Sequence, residues 1–174
     1  MFKRGWYQRA RHIKSENYNS RAHDSALDLV VVHCISLPEG DYDNTNVENL
    51  FGNTLDCSIH ESFASLENVK VSAHFYIKRD GEIIQFVSVD NRAWHAGVSE
   101  YKNRQGCNDF SIGIELQGTD KTPYTAEQYD NLNVLLESLR TAYPTLTDIT
   151  GHENIAPGRK TDPGKYFDWR KVRF

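Results

Sequence analysis

The chain has no apolar run approaching the roughly 20 residues that cross a bilayer, and its first residues do not form the apolar stretch of a secretion signal. The expectation is a chain that works in the cytoplasm, away from membranes. Dense Lys/Arg blocks are also missing and the formal net charge is -4, so no electrostatic footprint for a nucleic-acid backbone exists. Lys3, Arg4, Arg9, Arg11 and Lys14 are interleaved with polar and aromatic residues and read as a solvated extension rather than a basic arm. Cysteine is scarce: Cys34, Cys57 and Cys107 are odd in number and irregularly spaced, which argues against a disulfide framework and for reduced thiols. Repeats, low-complexity tracts and linker-like shifts are absent too.

What is present is a 174-residue chain, 39% hydrophobic and 25% charged, which is near the globular average. That length supports one substantial core and is too short for two comfortable domains. The expected organisation is one domain over residues 27–174, residues 1–26 forming an N-terminal extension packed on it, in a monomer.

Leu27 to His33 (LDLVVVH) is a β-branched apolar run suited to a strand buried on both faces, with His33 at its C-terminal end. Leu37 to Thr54 is rich in Pro, Gly, Asp and Asn and reads as a long surface loop, and Ile59 to Leu66 as a short helix. Asp80-Gly81 divides HFYIKR from EIIQFV and predicts a hairpin with positive φ at both turn positions. Phe110 to Leu116 alternates, with Phe110, Ile112, Ile114 and Leu116 expected on one face and Ser111, Gly113 and Glu115 on the other, so Glu115 points away from the apolar face. Thr125 and Gln128 make a capping box for a helix whose Tyr129, Leu132, Leu135, Leu136 and Leu139 repeat at helical spacing, closed by Pro144. Gly151 to Gly164 carries so much Gly and Pro that a loop is expected, and Phe167, Trp169, Val172 and Phe174 should dock the tail on the core.

Seven histidines make a metal the first chemistry to consider. Strand C-termini are where α/β sheets place ligands, which singles out His33. His152 and Asp162 share one Pro/Gly loop that can deliver both to a single point. Two imidazoles and a carboxylate form a tripod suited to one zinc ion; a fourth, open position lets zinc lower a water's pKa to about 7 and polarise a carbonyl. Hydrolysis needs a base for the water and a cation for the oxyanion, roles that Glu115, given room by Gly113, and Lys160 fit. Taken singly, a strand glutamate is a solvated face or an ion pair, and a loop lysine is merely exposed.

The runs VVVHCISLP, VSAHFYIKRDGEIIQFV, RAWHAGVS, CNDFSIGIELQGTD and TGHENIAPGRKTDPG resemble the amidase-2 family, in particular its 1,6-anhydro-N-acetylmuramyl-L-alanine amidases of Gram-negative bacteria, over about Leu27 to Trp169. The resemblance implies an α/β fold shared with peptidoglycan-recognition proteins, a mixed central β-sheet flanked by helices with zinc in a surface groove. It also implies His33, His152 and Asp162 as ligands, and Glu115 and Lys160 as catalytic residues. The implied substrate is an anhydro-muropeptide cut between the lactyl group and L-alanine during cytoplasmic wall recycling; loss of that activity would raise anhydro-muropeptide levels and could induce a chromosomal β-lactamase. By the resemblance Ala93 and Trp94 are expected among the substrate contacts of the groove, an aromatic face suiting a sugar ring, with core packing the plainer reading of Trp94. His74 and His95 read as structural or supporting residues, not ligands.

Two positions depart from the family pattern. Cys34 follows the first ligand where asparagine is usual, and Gly106 replaces an arginine before CND, which makes Cys34, Lys70 and Arg104 candidates for altered substrate contacts. The alternative class is a fragment-binding protein on the same fold, which a missing ligand would signal and which this chain does not show. A periplasmic hydrolase would need an export signal, and a thiol enzyme using Cys34 lacks a partner such as C-x-x-C.

Overall fold

Six strands form one mixed sheet: β1 (Arg11–His12), β2 (Leu29–Ile35), β3 (Phe75–Ile77), β4 (Ile83–Gln85), β5 (Ser111–Gln117) and β6 (Asp148–Gly151). The computed structural model describes residues 1–22 and 26–174. Residues 23–25, at the end of the segment read as an N-terminal extension, lie outside the described residues. Spatial order is β6-β2-β5-β3-β4-β1, and every neighbouring pair is parallel except the antiparallel β3/β4 hairpin. β2 is largely apolar and β-branched, β5 alternates apolar with small or polar residues, and β5 is buried along its whole length, as strands with parallel neighbours on both sides require.

On one face, Val30, Val32, Ile112, Ile114 and Leu116 pack under α2 (Ala126–Ala142), which contributes Leu132, Leu135, Leu136 and Leu139. The capping box is present, Thr125 Oγ1 accepting from Gln128 N at 3.1 Å and Gln128 Oε1 accepting from Thr125 N at 3.1 Å. A cap contributes about 1 kcal/mol, whereas truncating one such leucine to alanine costs about 2–5 kcal/mol. Packing therefore holds α2, and the cap sets where it starts. Phe167 joins this core and Trp169, Val172 and Phe174 pack against it, so the tail docks as expected. The opposite face carries Leu29 and Val31 with Ala96, Cys107, Phe110 and Ile155, and, further along the strands, His33 and Glu115; Phe110, expected on the Ile112 face, lies here because it precedes β5 and does not share its alternation.

Three local expectations are corrected. Leu37 to Thr54 is not all loop: it contains α1 (Asn46–Phe51), whose Val47, Leu50 and Phe51 bury against Tyr76, Ile84 and Phe86. Gly151 to Gly164 is not all loop either, because Gly151 ends β6 and His152–Ile155 form one helical turn, α3. In the hairpin turn only Gly81 has positive φ, at 87°, the backbone closing through Gly81 N to Lys78 O and Lys78 N to Glu82 O, both at 2.9 Å. Glu61–Leu66 is a 3-10 helix, close to the short helix expected there.

The N-terminal residues are tied in by Gln85, which has no exposed surface. Its Oε1 accepts from Tyr7 N at 2.7 Å and its Nε2 donates to Gly5 O at 2.8 Å and Val87 O at 2.9 Å. Tyr7 is fully buried in the core beneath α2. Among the described residues no helix is long and apolar enough to cross a membrane. Replacing Gln85 with leucine takes the partner from Tyr7 N and Val87 O, each at about 1–3 kcal/mol, while Gly5 O keeps the bond from Val89 N at 3.0 Å. Urea denaturation of Gln85→Leu should show a loss of about 2–5 kcal/mol; a loss below about 1 kcal/mol would mean the N-terminal segment is not held by this side chain.

Candidate metal centre and active site

Strand register builds the site. β2 and β5 run parallel with Glu115 opposite His33, and Gly151 of β6 lies opposite Val32, so His152 follows alongside His33. The loop after α3 returns Asp162, held by its own carbonyl accepting from Glu153 N at 2.8 Å. The result is a tight triangle: His33 Nδ1 to His152 Nδ1 is 2.9 Å, His152 Nδ1 to Asp162 Oδ2 is 3.0 Å, and His33 Nδ1 to Asp162 Oδ2 is 3.2 Å. His33 and His152 are buried, at 1% and 3% exposure, and Asp162 is partly open.

These atoms fit a cation better than they fit one another. His152 Nε2 lies 3.1 Å from Ala96 O, a carbonyl that can only accept, so the imidazole proton sits there and Nδ1 presents a lone pair. Zinc bonds of about 2.0–2.1 Å in a tetrahedron place donor atoms about 3.3 Å apart, close to the observed edges. Burial pulls His33 down to about 4, so it is neutral at physiological pH, the form that ligates metals. The three residues form one group able to hold a metal ion.

Glu115 is 8% exposed and its Oε2 is buried without a hydrogen-bond partner. Burial pushes its carboxyl well above the ordinary range, the charge of Asp162 adds to that, and Lys160 offsets part of it. Lys160 is exposed and lines a cavity of about 470 Å³ together with Cys34 and Asp162. Burial pushes the Cys34 thiol up to about 12, which disfavours its thiolate.

The other candidate contacts scatter. Trp94 is half-buried, its Nε1 donating to Asn19 Oδ1 at 2.8 Å, and the Ala93 side chain beside it is fully buried. Lys70 lines a separate cavity with Leu50, Asn53 and Leu66. Arg104 donates to Asp28 at 2.5 Å and stacks 3.8 Å over Phe110. Two supporting residues had no signal in the spacing. Tyr124 donates to Pro163 O at 2.8 Å, next to Asp162, and Asn108 Oδ1 accepts from His95 N at 3.0 Å and Ala96 N at 2.8 Å. Only their tertiary contacts reveal them.

With fold and site in view, the family is clear. The profile described as N-acetylmuramoyl-L-alanine amidase matches residues 23–165, and the chain belongs to that family. It is 50% identical over 171 residues to the 1,6-anhydro-N-acetylmuramyl-L-alanine amidase AmpD of Salmonella typhimurium (strain SL1344), covering 98% of this chain and 91% of that one. It is 48% identical over 174 residues to AmpD of Escherichia coli (strain K12), covering 99% and 95%. The crystal structure of a selenomethionine AmpD derivative superposes with a TM-score of 0.97 at 49% identity, covering 99% of this chain and 97% of that one.

A raised carboxyl sets the sign of one pH effect. Below its ordinary value of 4.5 Glu115 is protonated in folded and unfolded chains alike. As pH rises above that value the unfolded chain releases the proton while the folded, metal-free chain keeps it, so stability falls with rising pH. In chelator, Glu115→Gln should match the wild-type Tm near pH 4 and exceed it increasingly toward pH 8; a Tm difference independent of pH would contradict the buried-carboxyl account.

Proposed function

We propose that this chain is a zinc-dependent amidase that hydrolyses the bond between the lactyl group of 1,6-anhydro-N-acetylmuramic acid and L-alanine in peptidoglycan fragments recycled in the cytoplasm. The observation that carries the reading is the convergence of His33 Nδ1, His152 Nδ1 and Asp162 Oδ2 to within 3.2 Å of one another, in register with a buried carboxylate that has a free oxygen. The similarity to AmpD amidases supports the substrate. All three ligand positions are filled by donor residues, so nothing favours a binding protein that has lost its metal.

His33, His152 and Asp162 hold the ion, which when bound supplies Lewis-acid polarisation of the scissile carbonyl and a more acidic water. Glu115 takes the proton that water releases as its oxygen adds to the carbonyl carbon. Lys160, on the cavity wall, stabilises the negative charge that grows on the carbonyl oxygen. Collapse breaks the C–N bond, and the proton held on Glu115 passes to the departing alanine nitrogen. One chain holds the whole set, so a monomer suffices.

Mass spectrometry of anhydro-N-acetylmuramyl tripeptide incubated with the protein should show free peptide, abolished by a chelator and restored by zinc. Intact substrate after incubation with protein carrying one zinc would overturn the reading. Asp162→Ala should lose stoichiometric zinc on gel filtration. Removing the charge of Lys160 should lower kcat by about 10–1000-fold with little change in KM; a pure KM effect would make it a substrate clamp.

A further inference from the structure

His95 belongs to neither the ligand set nor the proposed acid–base pair, yet it touches the metal centre directly. Its Nδ1 lies 2.9 Å from His33 Nε2, and its Nε2 lies 3.2 Å from Ser111 Oγ. Ser111, fully buried, donates its single hydroxyl proton to Cys107 O at 2.5 Å. A backbone carbonyl has no proton to give, so it fixes the direction of every hydrogen bond behind it. Ser111 Oγ, its proton committed, accepts from His95 Nε2–H. His95 Nδ1 is then a lone pair and accepts from His33 Nε2–H, leaving His33 Nδ1 as a lone pair aimed at His152 and Asp162. The opposite direction would take the Ser111 proton away from Cys107 O and set two oxygen lone pairs against each other at 2.5 Å.

We infer that His95 is a positioning residue, which through Ser111 and the Cys107 carbonyl locks His33 in the tautomer that ligates the metal. The surroundings hold the imidazole in this task. A Cβ on Gly113 would come within 2.6 Å of His95 Nδ1, so a side chain there would displace the ring. The backbone of His95 is fixed by Asn108, and its ring stands nearly perpendicular to His33, at 87°. His74 backs it at 5.7 Å between ring centres, held by accepting from Gly113 N at 3.0 Å. His152 needs no such relay, because Ala96 O performs the same function in one step. Outer partners of this kind commonly change metal affinity by about 10–100-fold.

The inference rests on the zinc reading, and two measurements separate the two. In the zinc-free wild type, long-range 15N–1H correlation spectra should show the His33 proton on Nε2; a proton on Nδ1 would overturn the relay whatever the variants do. Zinc Kd, measured by competition with a chromophoric chelator, should weaken about 10–100-fold in His95→Leu, with loss of the single His33 tautomer. Ser111→Ala should weaken zinc and mix the tautomers of both rings. His95→Gln, which offers an accepting oxygen to His33 and a donor to Ser111, should recover part of the affinity. Wild-type Kd in His95→Leu would also overturn the relay, whereas failure of the wild type itself to bind zinc would sink the metal reading and leave the tautomer result to stand alone.

Discussion

The parallel pairing of Leu29–Ile35 with Ser111–Gln117 places Glu115 directly opposite His33, and the site inherits its geometry from that register. In-register residues of parallel strands project to the same face, so one row carries a candidate ligand and a carboxylate while α2 covers the other face. The pairing of Asp148–Gly151 with the same strand sets the third component, since chain leaving Gly151 delivers His152 beside His33. A slip of one residue in either pairing would turn these side chains to the wrong face. Apolar packing on both faces prevents that slip, which is how core residues such as Val30 and Ile112 serve a site they do not touch.

By themselves these polar groups are costly to the fold. Three lone pairs converge within 3.2 Å, and a carboxyl nearby is buried without a full set of partners. A cation held by these three residues would answer both, attracting the donors and lowering the proton affinity that burial raises at Glu115. Metal binding by these residues would therefore be coupled to local stability. The rigid surroundings, with Tyr124 on Pro163 and Asn108 on the backbone of His95 and Ala96, keep the donors from relaxing apart.

Much of this is legible in sequence where local pattern decides the outcome. The apolar run ending at His33, the alternation through Glu115 and the capping box at Thr125 each map onto the elements observed, with boundaries shifted by a residue or two. The two short helices were not legible. Asn46–Phe51 lies between Asn- and Gly-rich flanks and forms because Val47, Leu50 and Phe51 find a hydrophobic partner surface, which is a tertiary cause. His152–Ile155 is a single turn inside a Gly/Pro-rich run. The candidate ligands stood out by residue type and position, but the groups that orient them did not: Ala96 O and Cys107 O are backbone atoms, and any residue could supply them.

The central claim is that His33, His152 and Asp162 form a nitrogen and oxygen site for one zinc ion. X-ray absorption at the zinc edge of the metal-loaded protein tests it most directly. The account predicts a shell of nitrogen and oxygen ligands at about 2.0–2.1 Å with the outer scattering of two imidazoles. A sulfur shell at about 2.3 Å would place a cysteine such as Cys34 on the metal, and zinc without imidazole scattering would place the ion elsewhere; either result would contradict the account.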